Sequence, residues 1–133
     1  MKNTFFTILL LFSVIFNTAI VAQEKHKTET FTTFFNSFNK DKSFQMSRVQ
    51  FPLIVKLNNE DFELVDYTIT KAKYTIINLN KDSAERDYNQ KTILKKDKVI
   101  IQQRGLNNGI FIDYIFEKRK GLWFLKTWID EST

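Results

Sequence analysis

A chain of 133 residues, 43% hydrophobic and 15% aromatic, with a formal charge of +5, has room for one domain and not two. Its lack of cysteine excludes a disulfide framework, a thiol nucleophile and the lipid-bearing cysteine of a bacterial lipoprotein. The positive charges are scattered, with short clusters at 95–98 and 118–120; they form no groove with interleaved aromatics, so nucleic acid is not an expected partner.

Lys2 is the only charge before Glu24, Phe5 to Phe16 is almost unbroken apolar sequence, and Ala19-Ile20-Val21-Ala22 offers small residues to a peptidase. A cationic start, a short apolar run and a small-residue site are the pattern of a secretory signal, too short for a comfortable membrane span. A retained single-helix anchor is the alternative. The expected organisation is a signal peptide over 1–22, a flexible leader over 23–30 and a single α+β domain over 31–133. The mature product is then periplasmic or secreted, with no transmembrane span. Cleavage leaves 111 residues with nineteen Lys and Arg, fifteen Asp and Glu, and sixteen aromatics. Each buried ring can remove roughly 150–250 Å² from water, so such a domain can hold without crosslinks.

Phe31, Phe34, Phe35 and Phe38 recur at spacings of three and four, which places four rings on one stripe of a helix. Asn39-Lys40-Asp41 ends that helix, and Asp41 caps a second one running to about Val49, closed by Phe51-Pro52. Strands are predicted over Leu53–Leu57 and Phe62–Thr70, joined by a turn at Asn58–Asp61. The apolar phase of the second strand slips by one residue, which predicts a β-bulge near Leu64. Lys71–Leu79 is ambiguous between strand and helix. Asn80–Asp97 reads as a long polar excursion with a helical turn at Ser83–Tyr88. Val99–Arg104 and Ile110–Lys118 form a hairpin, and Leu122–Asp130 is the last strand. On alternation, Trp123, Leu125, Thr127 and Ile129 share one face, and Phe124 and Trp128 share the other. A sheet with apolar residues on both faces is covered on both, by helices and by a partner or a curled sheet.

Helices followed by a meander ending in Tyr114-Ile115-Phe116-Glu117-Lys118 and Leu122-Trp123-Phe124-Leu125-Lys126 resemble the nuclear-transport-factor-two-like (cystatin-like) superfamily. More narrowly, Phe34 to Phe38 followed by Asp41, Phe44-Gln45, Arg48 and Phe51-Pro52-Leu53 resembles exported bacterial domain-of-unknown-function family 4348, over most of 28–130. The resemblance implies N-terminal helices packed in a strongly curved antiparallel sheet, a cone around an apolar cavity. Superfamily members include isomerases, dehydratases, hydrolases and proteins that only bind partners, so the resemblance implies no activity.

The candidate ligand-binding residues are Gln45, Arg48, Tyr67, Asp113 and Tyr114. Gln45 and Arg48, three apart on one helix, could grip a carboxylate or phosphate; alternatively Arg48 pairs with an internal carboxylate. An acid such as Asp113 in an aromatic cone could act as a general base, as in the superfamily's isomerases. Asp113 and Tyr114 point apart in their strand, so that chemistry needs a cross-strand partner such as Tyr67. Phe124 and Trp128 are the candidate interface residues, with core burial the competing role. No catalytic residue, metal or cofactor is expected: His26 is the only histidine and lies in the leader, and Gly105, Gly109 and Gly121 sit in turns.

The leading expectation is a non-catalytic envelope module that binds a small apolar ligand or a protein partner, with a homodimer through the outer sheet face. The rivals are a small isomerase- or hydrolase-like enzyme working in the cone, and a structural interaction domain with a filled core.

Overall fold

Four phenylalanines build the first element of the computed structural model, which describes residues 28–133. The expected signal peptide, most of the leader and His26 lie outside the described residues. Helix α1 (Phe31–Lys40) starts at Thr30, whose side chain accepts from Thr33 N, and ends at Asp41. Asp41 then caps α2 (Lys42–Ser47), its carboxylate accepting from Phe44 N at 3.0 Å. Thr and Asn are poor helix formers, so α1 depends on packing. Phe34 and Phe38 are fully buried, and the rings of Phe31, Phe34, Phe35 and Phe38 lie 5.6, 5.6, 6.4 and 5.4 Å from the single ring of Phe116. Burial of each such side chain is worth about 1.5–3 kcal/mol.

Helix α2 is shorter than expected. Arg48 caps it, and Val49 then forms a parallel bridge with Leu125 while Gln50 N donates to Leu125 O. The chain leaves the helix early because its backbone groups find partners on the last strand.

Six strands follow: β1 (Leu53–Asn58), β2 (Leu64–Ile69), β3 (Tyr88–Leu94), β4 (Lys98–Gly105), β5 (Phe111–Arg119) and β6 (Leu122–Asp130). They form one curved sheet in the order β2-β1-β6-β5-β4-β3, an α+β fold with few helices. The sheet is not wholly antiparallel, because β1 runs parallel to β6, with Lys56 opposite Ile129 and Leu57 opposite Asp130. This pairing joins the two ends of the domain. Alternation reports which face a residue occupies and not which strand lies beside it, so the pattern could not reveal it. The β5–β6 turn places Lys120 at φ 47° and Gly121 at φ 81°, the pair of positive values that a two-residue hairpin with matching twist requires.

The bulge lies elsewhere than expected. The β1–β2 register is unbroken from Leu53↔Ile69 to Asn58↔Leu64; Phe62, which created the apparent slip, stands before the strand at φ 59°. The irregularity falls between Ile115 and Phe116, where Thr127 and Leu125 are the partners and Lys126 is the extra residue. The face of β6 therefore switches. Trp123 and Leu125 are buried before the bulge, and Trp128 after it pairs with Tyr114, their rings 5.9 Å apart, against the core. Trp128 thus does not share a face with Phe124, and Thr127 and Ile129 turn outward. The polar run at 80–97 holds the expected turn at Ser83–Glu85 but also strand β3, paired with β4 from Tyr88↔Gly105 to Leu94↔Val99.

Candidate functional site

Gln45 is fully buried at the middle of α2. Its Nε2 donates to Phe38 O at 2.7 Å and Ile77 O at 2.8 Å, and its Oε1 accepts from the Tyr74 hydroxyl and from Ile77 N, both at 2.9 Å. An amide has two donor hydrogens and two acceptor lone pairs, so Gln45 has no capacity left for a ligand. Together with Asn39, which accepts from Leu79 N, it fixes the segment after β2 that was ambiguous from sequence.

Arg48 is not beside a vacant anion site either. Its guanidinium forks onto Glu29 at 2.9 and 3.2 Å and also donates to Trp123 O at 3.2 Å. Glu29 in turn accepts from Trp123 N, its carbonyl accepts from Trp123 Nε1, and its own N–H donates to Gly121 O. The internal-carboxylate alternative describes Arg48, and Glu29 is the residue that sequence reasoning missed; nothing in its polar surroundings marked it. Gln45 and Arg48 share no partner. The Arg48 guanidinium does lie over two rings, 4.6 Å from Phe44 and 5.6 Å from Phe124.

Asp113 and Tyr67 are not brought together: β2 and β5 are separated by β1 and β6. Asp113 lies on the outer face, its Oδ1 2.8 Å from Arg104 Nη2 and its Oδ2 accepting from Gln102 at 3.3 Å. Arg104 also stacks 3.6 Å over Phe111. Tyr67 is exposed on the edge strand. Tyr114 faces the core, where burial first, then Asp130 and Tyr88, push its hydroxyl pKa up to about 12. Burial and the nearby Tyr114 push Tyr74 up as well. Both hydroxyls therefore stay protonated near neutral pH, and that of Tyr74 donates to Gln45 Oε1.

The outer face has its own order. Ile93, Ile100, Ile115 and Thr127 stand opposite one another across β3, β4, β5 and β6, and the Thr127 hydroxyl donates to Ile54 O at 2.7 Å. All four are half-buried, and Ile54 is exposed. Beside this row, a cleft of about 330 Å³ is lined by Gln50, Arg119, Lys120, Leu122 and Phe124. A second, of about 340 Å³, lies over Ile54, Lys56 and Thr127. Two others open near Phe111 and Gly109 and between Met46 and Ile76. None of the four is lined by a buried core residue. Among the described residues no group of three His, Cys, Asp or Glu could hold a metal ion, and no helix is long and apolar enough to cross a membrane.

Solved structures with the same fold include an NTF2-like protein from Bacteroides fragilis, with a TM-score of 0.59 and 22% identity over 83% of this chain. This chain spans half the length of that protein. A cystatin-like protein from Bacteroides caccae matches with a TM-score of 0.57 and 20% identity over 78% of this chain and 77% of its own. A protein from Bacteroides uniformis matches with a TM-score of 0.53 and 18% identity over 75% of each. No curated protein matches the sequence. The family model for a domain of unknown function, DUF4348, matches residues 7–130, nearly the whole chain, and the chain belongs to that family.

Proposed function

We propose that the chain is an exported, non-catalytic module that binds a protein partner through the outer face of its sheet, around Phe124 and the isoleucine row. In this reading the helices fill the bend of the sheet like the stopper of a cone. The observation that carries it is the packing of Phe34, Phe38, Phe116 and Leu125, all fully buried, where a cone-type enzyme would keep its substrate. Export rests on the pattern of residues 1–22.

An enzyme of the isomerase kind needs two convergent ionisable groups poised near working pH. The candidate acid, Asp113, is held by Arg104 on the opposite face from Tyr114. The tyrosines of the core face hold their protons too tightly to serve as bases. A binding face needs only apolar area and a polar rim, which Phe124, Leu122, Arg119 and Lys120 supply.

Site-specific crosslinking in the native host tests this. A photo-reactive phenylalanine analogue at Phe124 should trap a protein, whereas the same group at Asn36, exposed on α1, should not. Absence of any adduct at Phe124, or equal adducts at both positions, would overturn the reading.

A further inference from the structure

The β1–β2 hairpin concentrates exposed apolar side chains. Ile54, Phe62, Leu64, Val65 and Tyr67 are five of the nine large hydrophobics that stand exposed on the described residues, and Phe62 is 70% exposed. Strand β2 ends the sheet, and among the described residues no strand pairs with its other side. Asn59 N donates to Glu63 O at 2.9 Å, which makes residues 59 and 63 a hydrogen-bonded pair. Antiparallel alternation then turns the backbone of 65, 67 and 69 toward β1 and that of 64, 66 and 68 outward. Natural edges are blunted by proline, by bulges or by charges along the strand. Strand β2 has six residues, no proline and no bulge, and its one charge, Asp66, is held by Lys56 at 2.7 Å.

Charge sits at the two ends of this edge and with opposite sign. Asp61 and Glu63 precede the strand; Lys71 and Lys73 follow it. All four are exposed, and none has an ion-pair partner among the described residues. An antiparallel partner with the same sequence reverses that order and sets acid against base at both ends.

We infer that β2 is a self-association edge, on which a second copy of this chain continues the sheet across a two-fold axis at Tyr67. In that register Asp66 and Thr68, both with outward backbone groups, exchange hydrogen bonds with Thr68 and Asp66 of the second copy. Tyr67 faces its own counterpart, and Val65 faces Ile69 on the same side. Beyond the paired strands, the acidic turn that carries Asp61 and Glu63 in one copy comes beside the short 3-10 turn Lys71–Lys73 of the other, twice over by symmetry. A register centred on Asp66 would instead oppose two carboxylates, which is unfavourable. This surface is distinct from the face around Phe124, so the two readings stand or fall separately.

Sedimentation of the protein in the form its host accumulates is the test. The wild type should associate in a concentration-dependent way. The Asp61→Lys/Glu63→Lys variant and the Lys71→Glu/Lys73→Glu variant should each weaken association roughly tenfold or more, because each then opposes like charges. An equimolar mixture of the two should restore it, since every opposed pair is again of opposite sign. Unchanged circular dichroism and melting of each variant separates this from misfolding, and restoration on mixing requires both to be folded. A monomeric wild type, association indifferent to the reversals, or no recovery on mixing would overturn the proposal. Association abolished by Phe124→Ala alone would overturn it too, by placing the contact on the outer face.

Discussion

Strands β5 and β2 belong to one sheet and meet different fates. On β5, Phe116 touches all four rings of the α1 stripe and is fully buried. On β2 nothing is buried, although Leu64, Val65, Tyr67 and Ile69 are as apolar as most of the residues of β5. Alternation alone prepares a strand for burial; whether burial happens depends on what lies over it. Of β2 only Ile69 packs against the core, so Leu64, Val65 and Tyr67 remain at the surface, and exposed apolar residues on an edge are where partners add strands.

The largest expected effect breaks the buried side of this comparison. Phe116→Ala should cost about 3–5 kcal/mol in denaturant titration, whereas Tyr67→Ala on β2 should cost under about 1 kcal/mol. Equal costs would mean that the two strands are buried alike. Gln45→Ala should follow at about 3 kcal/mol, because it strands the Tyr74 hydroxyl, Ile77 N–H and two carbonyls away from water. Its melting curve would show that loss directly.

The faces of β6 offer a finer comparison. Trp128→Ala should destabilise the fold by about 2 kcal/mol and leave partner binding intact, while Phe124→Ala should do the reverse. Finding the opposite order by titration and crosslinking would restore the simple alternation that the bulge removes.

Smaller still is an alkaline effect. Tyr114 and Tyr74 have folded-state pKa values above the ordinary tyrosine value, near 10, so the folded state holds protons that the unfolded state releases. The contribution of Tyr114 is complete below pH 10 and is lost as the pH rises to about 12, while that of Tyr74, shifted further up, persists to higher pH. Tyr114→Phe should flatten the fall of stability over that range, read as unfolding midpoint against pH. The least effect is expected from Lys56→Ala: its pair with Asp66 is exposed on both sides and is worth about 0.5 kcal/mol.

Local periodicity made much of the fold readable. The α1 stripe, the Asp41 cap, the β4–β5 and β5–β6 hairpins and the α+β class all follow from spacing within a few residues. Phe35 shows a limit, since it lies on the stripe yet is only half-buried. The parallel β1–β6 pair was not legible because its partners are distant in sequence, whereas β3 is too polar to stand out and the single extra residue Lys126 leaves no mark in the alternation around it. The site residues fared similarly. Gln45 and Arg48 stand out in sequence for their polar atoms, but what saturates those atoms is Phe38, Ile77, Tyr74, Glu29 and Trp123, up to 75 residues away, and no local pattern points to them.

Native mass spectrometry of the protein purified from its own host tests most directly whether the interior is filled and binding takes place outside. The account predicts polypeptide masses alone, singly or assembled, with no retained small molecule. A stoichiometric small molecule that stays bound in the wild type and is lost in Phe116→Ala would contradict it, because the core face would then hold a ligand.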